Sequence, residues 1–347
     1  MEEFILQGCH IIYLSKMKNI NIIITIILSM FLWSCFEDDT QVEPLPIEEI
    51  VVPYSVYEYQ TYVDLSNGLI VSYHNYVDWD LGFESSTEGH HIILNYARFM
   101  YAGNTSQTNL DMVKSDTEAE MYFDKSDGNL DSTVFNSWAD FTDPDNPVFN
   151  NYVYIVDRGK DEQGNSFGYK KIIIEKLESD TFYLHFANLD GTEESSFMVP
   201  KDTSVNYTLF SFDNGGQIIA SEPNKDDWDI CLTKYTTIIP DNNGVLYDYI
   251  VRGALLNPYK EISVGLDTDN YFYDITADMI GNYSYSNARD AIGYDWKDYD
   301  SQEDLYLIRE NTSFILKNVN GSNYKLRFTD FYLDGTKGYP AFELIEF

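Results

Sequence analysis

The chain has 347 residues, with 57 Asp and Glu against 22 Lys and Arg, a formal net charge of −35 and no basic cluster. That balance repels a phosphate backbone and argues against nucleic acid as a partner. Three cysteines, Cys9, Cys35 and Cys231, supply neither a disulfide framework nor a Cys-ligated zinc site, while 29 Tyr and 21 Phe, with many Ile, Val and Thr, predict an all-β, mainly antiparallel fold.

The first elements are an address. Lys16-Met17-Lys18-Asn19 leads into an apolar run from Ile22 to Trp33, followed by Ser34-Cys35. A positive start, an apolar run too short to span a bilayer comfortably and a small residue before the cleavage point predict a secretory signal over 1–34. Met17 fits the start of such a signal, which makes 1–16 a candidate upstream extension. Leu32-Trp33-Ser34-Cys35 resembles a bacterial lipobox, in which the cysteine becomes the lipidated first residue, although Trp33 is bulkier than the usual residue there. Residues 35–53, with Glu37-Asp38-Asp39 and Pro44, Pro46 and Pro53, then read as the lipidated Cys35 and an extended acidic tether. Acidic residues just after the cysteine resemble the signal that sends Bacteroidetes lipoproteins to the outer face of the outer membrane. A lipid-anchored cell-surface protein is expected, touching the membrane through its N-terminal lipid alone.

The rest of the chain reads as a duplication. Asp78-Trp79-Asp80 precedes Leu81-Gly82-Phe83, and Asp227-Trp228-Asp229 precedes Ile230-Cys231-Leu232; the tryptophans are 228 − 79 = 149 residues apart. Upstream of each lies a strand-like segment carrying an Asn-Gly, at 67–68 and 214–215, which is a strong hairpin signal. Downstream, Tyr169-Lys170 and Tyr324-Lys325 each open an apolar run and predict a closing hairpin. Two β units follow, 54–200 and 201–347.

Strand alternation over 78–83 puts Trp79, Leu81 and Phe83 on one face, with Trp228, Ile230 and Leu232 matching them, so Trp79 and Trp228 are core anchors and Cys231 faces outward. The paired carboxylates lie about 6–7 Å apart by strand rise, within a glycosidase range. Their repetition beside a tryptophan points instead to Asp holding loop backbone. No Gly-x-Ser-x-Gly and no phosphate-binding Gly loop occurs, so no catalytic residue is assigned. The acidic loops at 143–146 and 267–270 lack the Gly and distal Glu of an EF-hand and predict turns. His90-His91 follows a turn at Thr87-Glu88-Gly89; as neighbours on a strand the two rings point to opposite faces and share no metal. Only Tyr273 to Ile280 has a helical pattern.

Lipobox, acidic tether, a Tyr-rich strand ending in Asn-Gly, the Asp-Trp-Asp strand and a final hairpin through Tyr324-Lys325-Leu326-Arg327-Phe328-Thr329-Asp330-Phe331, Lys337-Gly338 and Phe347 together resemble the HmuY family. The resemblance implies tandem HmuY-like units and a non-catalytic outer-membrane lipoprotein that captures haem or another small ligand, together with a TonB-dependent receptor. Family members hold the iron between two His or two Met. The second unit has no His and only Met279, so the pair would come from the first unit, where His90, His91, Met100, Met112 and Met121 are the candidates, beside His185 and Met198. None of these sits in a motif matching the family's ligands. The alternative is a scaffold that has lost haem and binds glycan or serves a receptor.

Overall fold

Four antiparallel sheets of four to six strands carry the fold in the computed structural model, which describes residues 49–241 and 243–347. The signal over 1–34, Cys35 and most of the tether lie outside the described residues. The end of the tether does not: Ile50–Val51 pairs with the last strand, Thr336–Glu346, and fully buried Val52 donates its N–H to Pro340 O (3.0 Å). An apolar triplet, Ile50-Val51-Val52, is enough to cover a sheet edge, so the folded body starts at residue 50 rather than 54.

The expected β class holds, and short 3₁₀ turns are the helical elements among the described residues. Two of them, Phe272–Asp274 and Ala277–Asn282, replace the single helix expected over 273–280. The duplicated hairpins are also present. Tyr59–Asp64 turns through Asn67-Gly68 into Leu69–Asn75, and Tyr207–Ser211 turns through Asn214-Gly215 into Gln217–Ile219. Gly68 and Asn214 both take positive φ, 63° and 57°, as a tight turn requires.

The sheets do not follow the expected boundary at 200/201, because the two copies exchange these hairpins. Tyr59–Asp64 pairs with Ile230–Pro240, the strand after the second Asp-Trp-Asp, with Val63 opposite Ile230. Reciprocally, Tyr207–Ser211 pairs with Leu81–Glu84, the strand after the first, with Phe210 opposite Leu81. Since Val63 matches Phe210 and Ile230 matches Leu81 in the repeat, both crossings have one register. Two cores result. One joins Leu81, Phe83, Trp138, Phe182 and Phe186 to Phe210 and Phe212; the other joins Val52, Val63 and Leu65 to Ile230, Leu256, Phe314 and Phe342. Each core is therefore built from both copies.

The second Asp of each motif fixes the crossing. Asp80 N–H donates to Phe210 O (2.7 Å), and its Oδ2 accepts from Phe212 N–H (2.9 Å). Asp229 repeats this with Val63 O (2.8 Å) and Leu65 N–H (2.7 Å). Both carboxylates are fully buried and ion-paired: Asp80 with Arg98 (2.7 Å) and Arg158 (2.9 Å), Asp229 with Lys260 (2.7 Å). The expectation of a structural carboxylate holding backbone is met. Asn95 and Asn257 complete the repeat, each giving its side-chain N–H groups to carbonyls of the motif or its approach: Tyr76 and Trp79 in one copy, Lys225 and Trp228 in the other.

Two details of the alternation are corrected. Trp79 and Trp228 are buried, but Trp79 packs with Ile93, Tyr207 and Leu209 rather than with Leu81 and Phe83, because the strand begins only at Leu81. Cys231 is not outward but fully buried beside Tyr62 and Trp228, because this stretch of sheet is covered on both faces.

The exchange is checked chemically. Tyr62 is the register partner of native Cys231. Tyr62→Cys is expected to form a 62–231 disulfide on oxidation, detected as a cross-linked peptide; hairpins kept within their own copies give none. Asp80→Ala, which strands two buried guanidinium groups, is expected to cost about 3–5 kcal/mol in urea unfolding.

Candidate functional site

The second copy's hairpin, Ile230–Pro240 with Leu246–Leu256, is much longer than its first-copy counterpart, Leu81–Glu84 with Ile92–Leu94. Asp241 closes its turn by accepting from Asn243 N–H and Val245 N–H (both 2.8 Å). Only Ile230 to Leu232 meets the exchanged strand, so the rest of the hairpin reaches past it. The outer part, with the short hairpin Lys297–Asp300 and Leu305–Ile308, bounds a cleft of about 630 Å³.

Five tyrosines line it: Tyr247, Tyr249, Tyr294, Tyr299 and Tyr306. Strand alternation places Tyr247 and Tyr249 on one face, with centroids 5.9 Å apart and rings edge-on. Tyr299 and Tyr306 are cross-strand partners with centroids 5.0 Å apart. Tyr247, Tyr249 and Tyr299 are exposed, so their apolar area is not spent on the core.

Arg252, Lys297, Arg309 and Lys337, four of only 22 basic side chains, lie in the same cleft. Three are partnered: Arg309 holds Asp298 through two hydrogen bonds (3.0 and 2.6 Å), Lys337 holds Asp304 (2.8 Å) and Arg252 holds Glu162 (3.0 Å). Lys297 differs. It is buried, donates to Arg252 O (2.5 Å), sits 3.7 Å over the Trp296 ring, and has no carboxylate at ion-pair distance among the described residues. Burial first, and the Arg252 charge second, hold its amine well below the usual lysine range. The Tyr299 hydroxyl is raised by its hydrogen bond to Asp304. Aromatic walls with guanidinium and ammonium groups suit a flat, anionic ligand. The lining residues include no His or Met, and their oxygen donors are the tyrosine hydroxyls and the carboxylates of Asp295 and Asp298.

None of the sequence-derived candidates lines this cleft. His90 and His91 precede Ile92–Leu94 in the first copy, brought together as stacked rings with centroids 4.2 Å apart and 30° between planes, not on opposite faces. Met100 is closed off in the first core, Met112 is exposed, and Met121 packs against the Val153 and Ile155 cluster. His74 is a satisfied core histidine, bonded to the Tyr62 hydroxyl (3.2 Å) and Asn75 O (3.0 Å). His185 pairs with Glu194 at 2.7 Å. The signal for the tyrosine cleft was present in Tyr247-Asp248-Tyr249 and in Tyr294-Asp295-Trp296-Lys297-Asp298-Tyr299, but tyrosines in a β protein read as core until their exposure is known.

Lys297→Met keeps the stem volume and removes the titration. Relative to this variant, the native chain is expected to gain stability as pH rises toward about 10.4, because the unfolded lysine binds a proton that the folded one does not. Urea midpoints of both proteins between pH 7 and 10 measure the difference.

No curated protein matches the chain. Three solved structures show limited similarity. One, named as that of an HmuY-like haem-binding protein from Bacteroides vulgatus, is 16% identical, covering 51% of this chain and 91% of that one, with a TM-score of 0.18. The apo HmuY analog of Tannerella forsythia is 15% identical, covering 50% and 93%, with a TM-score of 0.18. Apo PinO from Porphyromonas gingivitis is 13% identical, covering 39% and 75%, with a TM-score of 0.17. In sequence, residues 203–344 match the family described as HmuY protein.

Proposed function

We propose that the protein is a non-catalytic, lipid-anchored cell-surface binder that captures a planar, anionic ligand of the haem class in the tyrosine cleft and passes it to an outer-membrane receptor of the TonB-dependent kind. One observation carries this reading: inside the HmuY-matched segment, a chain of net charge −35 gathers five tyrosines and four basic side chains around one open cleft. Tyr247, Tyr249 and Tyr299 would flank the macrocycle, Arg309 and Lys337 would meet its carboxylates by releasing Asp298 and Asp304, and a tyrosine hydroxyl would take the iron. The haem-binding description of the Bacteroides vulgatus protein supports the same ligand class. Anchoring through Cys35 would keep the cleft at the surface, and two or more acyl chains suffice for stable attachment.

Titration with haemin is expected to give a saturable Soret band that shifts in Tyr247→Phe/Tyr249→Phe and weakens at least tenfold in Arg309→Ala/Lys337→Ala. Iron-free protoporphyrin should bind the native cleft and lose affinity in the cation variant alone. A band unchanged in both variants but abolished by His90→Ala/His91→Ala moves the site to the first copy and overturns the cleft. Cys35→Ala is expected to move the protein from the membrane pellet to the soluble fraction.

A further inference from the structure

The hairpin that carries Tyr247 and Tyr249 has the exchanged strand beside it only from Ile230 to Leu232, so the stretch that bounds the cleft is held from one of its faces. Strand alternation divides those faces: Tyr247 and Tyr249 point one way, and Lys234, Asp248 and Arg252 point the other. The second face meets the first copy across a separate cleft of about 380 Å³. Lys234 and Arg252 are register partners, two cations directly opposite each other on neighbouring strands, an arrangement that by itself destabilises a hairpin. Glu162 of the first copy reaches between them. Its Oε1 accepts from Arg252 Nη2 (3.0 Å) and its Oε2 from Lys234 Nζ. It is the one carboxylate at ion-pair distance from either cation among the described residues. Thr236 N–H to Tyr96 O (2.9 Å) and the Tyr101 hydroxyl to Asp248 Oδ2 (3.0 Å) are further ties between the same hairpin and the first copy.

Glu162 is presented by a turn that needs nothing from the hairpin. Asp161 closes it, with Oδ1 accepting from the N–H groups of Gln163 (2.9 Å) and Asn165 (2.8 Å). The root of the turn is fixed to the first-copy frame, because Lys160 N–H donates to Arg98 O (3.0 Å). Gly159, at φ 73°, permits that approach: a Cβ there would stand 2.0 Å from the same oxygen. Arg98 is in turn an ion partner of Asp80, so the turn stands on the buried frame of the first copy.

We infer that Glu162 is a positioning residue for the tyrosine cleft: a first-copy carboxylate that holds the second-copy hairpin where Tyr247 and Tyr249 wall the site. Lys234 is buried, so dissolved salt does not screen this pair as it screens exposed charges. Removing Glu162 leaves two opposed cations across one strand pair. The consequence for the hairpin follows from that geometry alone; the consequence for a ligand rests on the reading of the cleft given above.

Glu162→Gln keeps the side-chain volume and removes the charge. Amide hydrogen exchange over 236–250 is expected to speed up about tenfold, with Ser313–Val319 in the second core unchanged. Haemin is expected to bind about tenfold more weakly, because the tyrosine wall is no longer pre-organised. Lys234→Met/Glu162→Gln deletes one of the opposed cations together with the carboxylate and should bring both readouts back to within about threefold of native, a recovery that loss of a merely stabilising ion pair does not show. Exchange over 236–250 unchanged in Glu162→Gln, exchange raised equally over Ser313–Val319, or no recovery in the double variant overturns the inference. Faster exchange with unchanged haemin affinity overturns it as well. A native chain that binds no haemin overturns the cleft reading instead, and exchange then decides the role of Glu162.

Discussion

Everything in this fold hangs on a carboxylate that has no contact with water. Asp80 is fully buried and its two oxygens accept from Arg98, Arg158, Ser211 and the Phe212 N–H. A charge taken out of water is tolerable only when its lone pairs are filled and a counter-charge is near. The Phe212 N–H belongs to the hairpin of the other copy, and the guanidinium groups come from 98 and 158, so satisfying Asp80 draws three distant segments to one point. Asp229 does the same for Leu65 with Lys260. The exchange of hairpins is thereby secured by hydrogen bonding: each buried carboxylate takes its backbone partner from the hairpin of the other copy.

This explains why much of the architecture was legible in the sequence and its connectivity was not. Asn67-Gly68, Asn214-Gly215 and the two Asp-Trp-Asp motifs are local signals, and each sits at the turn or strand start it announced. Whether Val63 pairs with Leu81 or with Ile230 is a long-range choice between two copies of nearly the same strand, and local pattern scores both alike. The repeated Ile93-Leu94-Asn95 and Leu255-Leu256-Asn257 was the overlooked marker of the second layer of the motif, masked because the longer second hairpin shifts its spacing. The site was harder still. Histidines and methionines attract a search for iron ligands, but burial decides what they can do, and Met100 spends its side chain on the core.

Exchange also accounts for the position of the tryptophans. Here Trp79 meets Tyr207 and Leu209 from the exchanged hairpin, with its indole N–H donated to Gln60 (2.7 Å), while Trp228 meets Tyr62 at 4.8 Å. The two indoles line one small seam between the cores together with Arg289, whose guanidinium lies 4.2 Å over the Tyr96 ring. A seam of large apolar side chains from both copies buries more area than a surface contact would, which favours unfolding of the two cores together rather than one at a time.

Duplication with a shared frame leaves one element free to diverge, the hairpin that follows each Asp-Trp-Asp. Its base is pinned in both copies by the same crossing and the same asparagine, Asn95 or Asn257. Its far end is not. In the first copy the connection between Phe83 and Ile92 is short and carries Glu84, His90 and His91; in the second the strands run to Pro240 and Leu246, and the extension carries Tyr247 and Tyr249. Two chemistries, an imidazole pair and a tyrosine wall, thus occupy corresponding places on one scaffold. A loop can change length and side chains at little cost when the residues that bear the fold lie elsewhere. The buried carboxylates supply that separation, holding the base of each hairpin while its tip carries different side chains in the two copies.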